Sequence, residues 1–77
     1  MTLKEDLQKE IDKWFPKVKH EFKKIKSAQD RDFLKNIQAY IQDTEYFLEK
    51  NDLIKAFEAL IWAWAWLEIG KRKKILK

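Results

Sequence analysis

The sequence predicts an all-α fold, a three-helix up-and-down bundle forming a single domain over residues 1–77. Three observations predict it. Apolar residues recur at steps of three and four through three successive segments of matched length, the spacing that lines one face of a helix. The whole chain holds one glycine and one proline, too few turn formers for the reversals a sheet requires. The second and third segments meet at Asn51-Asp52, and so short a junction makes the two helices antiparallel neighbours.

The first segment runs from Thr2 to about Lys26. Thr2-Leu3-Lys4-Glu5 fits a capping box, with Thr2 as N-cap and Glu5 reaching back. Leu3, Leu7, Ile11, Trp14, Val18, Phe22 and Ile25 form one continuous stripe. Pro16 interrupts it. Proline removes a backbone donor and clashes with the carbonyl four residues back, at about 3 kcal/mol in a helix interior. The stripe keeps its phase across Pro16, so helix one is expected to be kinked or broken near that residue. The alternative is a separate N-terminal arm.

The second segment spans about Ala28 to Lys50. Ser27 is the expected N-cap, with Asp30 and Asp32 suited to the positive helix end. Phe33, Ile37, Tyr40, Ile41, Thr44, Phe47 and Leu48 make its apolar stripe. Asn51 tolerates the left-handed conformation that ends a helix, and Asp52 caps the next one.

The third segment begins at Leu53 and runs into the tail. Trp62-Ala63-Trp64-Ala65-Trp66 alternates large and small, which locally reads as a strand. The nineteen residues from Asp52 to Gly70 contain no turn signal between those two ends and favour Ala, Leu, Glu and Lys, which decides for a helix. Leu53, Ala56, Phe57, Leu60, Ala63, Trp64 and Leu67 share an arc expected to face the core. Ala59 and Trp66 flank that arc. Ile54, Ile61, Trp62, Ala65 and Ile69 lie away from it, so this helix is apolar well beyond one face.

Several function classes are excluded or find no support. With no cysteine, disulfide frameworks and cysteine-based zinc sites are excluded. The longest apolar run, Ala59–Leu67, has nine residues, and a spanning helix needs roughly 20. The first ten residues are charged from Lys4 onward, unlike a signal peptide, so the cytoplasm is the default expectation. No phosphate loop, nucleophile–base spacing or histidine metal motif is present. His20 lies opposite the apolar stripe and reads as a surface residue. Asp43 sits outside the stripe of its segment, between Tyr40 and Tyr46, where a structural hydrogen bond suits it. The expectation is therefore a non-enzyme with no cofactor, no metal and no catalytic residues.

Two binding readings remain. Ile54, Ile61, Trp62, Ala65 and Ile69 are candidates for contact with a protein partner or a second copy of the chain, because a contiguous apolar patch marks an interface. The competing reading has the N-terminal arm cover them through Leu3, Leu7 and Ile11. The second reading starts from charge. Lys17, Lys19, Lys23, Lys24 and Lys26 end helix one, and Lys71, Arg72, Lys73, Lys74 and Lys77 end helix three. An up-down-up bundle brings both ends to one pole. Lys23, Lys24, Lys71, Arg72, Lys73 and Lys74 are the candidates there for nucleic acid or another polyanion. Cations also favour helix C-termini for their own sake. A membrane-surface role, from tryptophans beside a basic tail, is a weaker third.

The second half also carries a family pattern. Tyr40, Asp43, Tyr46-Phe47-Leu48-Glu49-Lys50, Asp52-Leu53, Ala56-Phe57, Ala59, Ala63, Trp66-Leu67-Glu68 and Gly70 follow YxxDAxYFLExGDLxxAFxAxxYAxxWLDAG. Over Ala39–Gly70 the chain resembles the archaeal domain-of-unknown-function 357 family. Departures include Asn51 for a glycine, Thr44 for an alanine, Trp62 for a tyrosine and Glu68 for an aspartate. The last puts in doubt any role that needs a short carboxylate. The resemblance implies a compact three-helix bundle of archaeal origin and implies no activity.

Overall fold

The computed structural model describes residues 2–77. Three helices follow one another: α1 (Leu3–Lys23), α2 (Arg31–Glu49) and α3 (Leu53–Arg72). They run up, down and up in a rod of 42 × 18 × 16 Å. α3 is the spine. α1 and α2 lie against two of its sides and have little direct contact with each other.

α1 begins where its sequence says. Thr2 Oγ1 accepts a hydrogen bond from the Glu5 amide at 3.2 Å, which satisfies one of the donors a helix start leaves open. The helix then continues through Pro16 as a single element, so there is no separate arm. Pro16 is exposed and its neighbours Phe15 and Val18 are buried. The bond that Pro16 cannot donate would have gone to Asp12, also on the exposed side, where solvent can take its place.

α2 starts three residues later than expected. Its N-cap is Asp30, whose Oδ1 accepts from the amides of Asp32 (2.9 Å) and Phe33 (3.4 Å). Ser27 is engaged elsewhere. Its amide donates to the Lys77 carbonyl at 3.1 Å, and its own carbonyl accepts from Lys77 at 2.9 Å. Gln29 donates to Ile75 at 2.8 Å. The connection between α1 and α2 thus pairs with the end of the chain, through a bridge of Ala28 and Leu76.

The ends of α2 and α3 are built alike. Asn51 and Lys74 both adopt φ 58°. After α2, the Asn51 amide donates to Leu48 and the Asp52 amide to Phe47. After α3, Lys74 donates to Lys71 and Ile75 to Gly70. Both are Schellman closures, which satisfy carbonyls a helix end would orphan. Asp52 serves twice, since its Oδ1 also caps α3 through the Lys55 amide at 3.2 Å.

Ile11, Phe15 and Val18 of α1, Phe33, Ile37 and Ile41 of α2, and Leu53, Ala56, Leu60, Ala63 and Leu67 of α3 form the buried core, closed at one end by Leu76. The alanines of α3 let both flanking helices approach it. Thr44 is fully buried, and its hydroxyl donates to the Tyr40 carbonyl at 2.8 Å, so it carries no unsatisfied group into the interior.

Candidate interaction surface

α3 buries two of its sides and presents a third. Ile54 (56% exposed), Ile61 (50%), Trp62 (55%) and Ile69 (46%) line that third side. Ala65 lies among them, partly buried. Neither of the flanking helices covers this stripe. α1 is one continuous helix with Ile11 in the core, while Leu3 stays exposed at its start. The expectation that Leu3, Leu7 and Ile11 fold over the stripe as an arm is therefore not met: helical geometry keeps Ile11 on the core face.

Grooves border the stripe on its α1 side. One of about 260 Å³ is lined by Glu10, Trp14, Val18, Phe57, Leu60, Ile61 and Trp64. Trp14 and Trp64 lie side by side in its lining, with ring centroids 5.7 Å apart. The Trp14 indole donates to Glu10 at 2.9 Å, and Lys17 sits over the ring at 4.6 Å. A second groove, of about 580 Å³, runs from Leu3 and Leu7 to Ile54. On the α2 side, Trp62 stacks on Tyr40 with centroids 6.3 Å apart and planes 21° from parallel. Trp66 packs edge-on against Phe33 at 4.8 Å. Of the three clustered tryptophans, Trp64 and Trp66 are thus partly buried packing residues and Trp62 is the one presented to solvent. Sequence phase separates the isoleucines from the core arc. It does not reveal that Tyr40 would brace Trp62, a relation set by how α2 docks.

The basic residues gather as the topology requires. The C-terminal ends of α1 and α3 lie at one pole, where Lys24 (3.4 Å) and Lys71 both bond to Glu21. The Lys71 hydrogen bond, then that of Lys24, holds the Glu21 carboxyl below its ordinary range. Lys23, Arg72, Lys73 and Lys74 are exposed there and join no ion pair among the described residues. Lys17 and Lys19 point instead to the rings of Trp14 and Phe15. Arginine and lysine contacts to aromatic faces of this kind are electrostatic and modest.

Other sequence candidates are dispersed. His20 is exposed. Tyr46 is exposed beside Phe47, and Asp43, Tyr46 and Glu68 line no common cavity among those described. Among the described residues no helix is long and apolar enough to cross a membrane, and no group of His, Cys, Asp or Glu is placed to hold a metal ion.

Comparison with known proteins agrees with this architecture. The crystal structure of protein AF1782 from Archaeoglobus fulgidus, of the DUF357 family, superposes with a TM-score of 0.91. It is 47% identical, and the match covers 99% of this chain and 97% of that one. Comparison with curated proteins finds no match. The model of the DUF357 family, described as proteins of unknown function, matches residues 7–76, nearly the whole chain, and this protein belongs to that family.

Proposed function

We propose that this protein is a non-enzymatic helical interaction module that associates with itself through the outer face of α3. One observation carries the reading: Ile54, Ile61, Trp62 and Ile69 are each about half exposed on a single helix face. Scattered exposed apolar residues are ordinary on a soluble domain. Four large ones aligned along one helix, beside apolar grooves, are the composition of an interface core. Sedimentation equilibrium over a wide concentration range tests it. Self-association that Ile61→Glu weakens at least tenfold, with the helical signal and unfolding midpoint unchanged, is the expected result. A strict monomer at high concentration, with an Ile61→Glu variant equally soluble and stable, overturns it.

The charge distribution favours a second reading, binding of nucleic acid or another polyanion through Lys23, Lys24, Lys71, Arg72, Lys73 and Lys74. It is supported by the gathering of these side chains at one pole with Glu21 as the carboxylate bonded among them. Titration with a DNA duplex at two salt concentrations tests it, since phosphate contacts weaken steeply with salt. Binding retained in Ile61→Glu and lost when Lys71, Arg72, Lys73 and Lys74 are replaced by alanine supports it. No binding at low salt overturns it.

A further inference from the structure

The large apolar residues of the α3 stripe are evenly spaced about the middle of the helix. Ile54 lies seven residues before Ile61, and Ile69 lies seven after Trp62. Glu58 lies three before Ile61, and Ala65 three after Trp62. Seven residues are close to two helical turns, so each isoleucine returns to the same face. Only the end isoleucines are alike about this centre, but large apolar residues stand at equal spacing on both sides of it and the charged Glu58 falls level with the small Ala65, so the patch can complement itself, as an isologous two-fold contact requires.

Charge chooses the direction. Trp14, Tyr40 and Trp62 mark one level of the bundle, through the contacts of Trp14 with Trp64 and of Tyr40 with Trp62. The half formed by residues 2–13 and 40–61 holds nine carboxylates and five lysines. The half formed by residues 14–39 and 62–77 holds four carboxylates and twelve lysines and arginines. Each copy is therefore negative at one end and strongly positive at the other. Two copies side by side in parallel would set twelve cations against twelve. Turned end for end, each acidic half lies beside the other's basic half, and like-charge juxtaposition is removed.

We infer that two copies of this chain pair antiparallel along α3, about a two-fold axis passing between Ile61 and Trp62. The inference rests on the reading of the α3 face as a self-association surface and specifies its partner and register. In this arrangement Ile54 meets Ile69 of the second copy. Ile61 meets its own equivalent on the α1 side of the axis, and Trp62 meets its equivalent on the α2 side. Glu58 falls opposite Ala65, whose small side chain leaves the carboxylate a path to water.

Because the chain has no cysteine, single cysteines report the register directly. Ile54→Cys, Ile61→Cys and Ile69→Cys variants would be prepared, checked for dimer content by sedimentation, and treated with a short bismaleimide. Antiparallel pairing brings the Ile61 positions together and holds the two Ile54 positions about 22 Å apart, at 1.5 Å per residue. The expected result is covalent dimer from Ile61→Cys alone, none from Ile54→Cys or Ile69→Cys alone, and dimer from an equimolar mixture of the last two. Dimer from Ile54→Cys alone, with none formed between Ile54→Cys and Ile69→Cys, would show parallel pairing. That overturns the register while leaving self-association standing. A sedimentation profile that is monomeric for the unsubstituted protein at every concentration overturns both.

Discussion

Gly70 faces Leu76 across a gap that admits no additional atom: a Cβ at residue 70 would lie 2.5 Å from Leu76 Cδ1 and 2.7 Å from Leu76 Cγ. Phe33 Cε1 would stand 2.8 Å away on the same side. The glycine is inside α3, before its C-terminal residues Lys71 and Arg72, and it serves close approach and not left-handed geometry. Gly70→Ala should therefore destabilise the protein by up to about 2 kcal/mol net. Overpacking costs about 1–3 kcal/mol, partly offset by the higher helix propensity of alanine, about 1 kcal/mol. Denaturant unfolding measures the loss. Hydrogen exchange should show faster exchange at the Lys26, Ser27, Gln29 and Lys77 amides, whose partners belong to the displaced pairing. A gain in stability would show that Leu76 is not seated as described.

Pro16 gives the opposite expectation. It occupies an exposed position within an unbroken helix, so it adds little to the core and withholds one backbone bond. Pro16→Ala should raise stability by about 1–3 kcal/mol, read as a higher urea midpoint at unchanged slope. An unchanged or lower midpoint would mean that the ring itself supports the path of α1.

Glu21 links α1 to α3 through its hydrogen bond from Lys71. Its carboxyl is held below the ordinary value of 4.5, first by the Lys71 hydrogen bond and then by that of Lys24. A carboxylate with a depressed folded-state value contributes above the unfolded value, and the contribution is lost as pH falls through the lower one. Carbon-detected NMR titration should place the Glu21 midpoint below 4.5. In Lys71→Met the midpoint should move back upward, and the variant's stability should approach that of the parent in acid. A Glu21 midpoint at or above 4.5 in the parent would show that the link is not formed in solution.

Local signals in the sequence carried the helices and failed where distant segments meet. Thr2, Asn51 and Asp52 act on backbone groups three to five residues away, so their roles are legible from neighbours alone. Ser27 has equal capping chemistry, yet Asp30 caps α2, because Lys77 claims the backbone around Ser27. That competition spans most of the chain and leaves no local trace. Ile75 and Leu76 read as part of a basic tail, and only the turn at Lys74 brings Leu76 back to the core. The outer stripe of α3 was legible from helical phase. Whether α1 would cover it depended on whether Pro16 breaks the helix, and an exposed proline does not reveal its own effect.

The arrangement of α3 as spine also orders the events of folding. α2 and α3 are adjacent in sequence, joined through residues 50–52, and share the larger contact. Short loops close quickly, and local contacts form before distant ones. A hairpin of α2 and α3 is therefore the natural nucleus, with α1 arriving last. Because α1 leans on α3 and scarcely on α2, it can detach without breaking that hairpin. The amides of α1 then exchange through a partial opening, at lower free energy than those in the middle of α3.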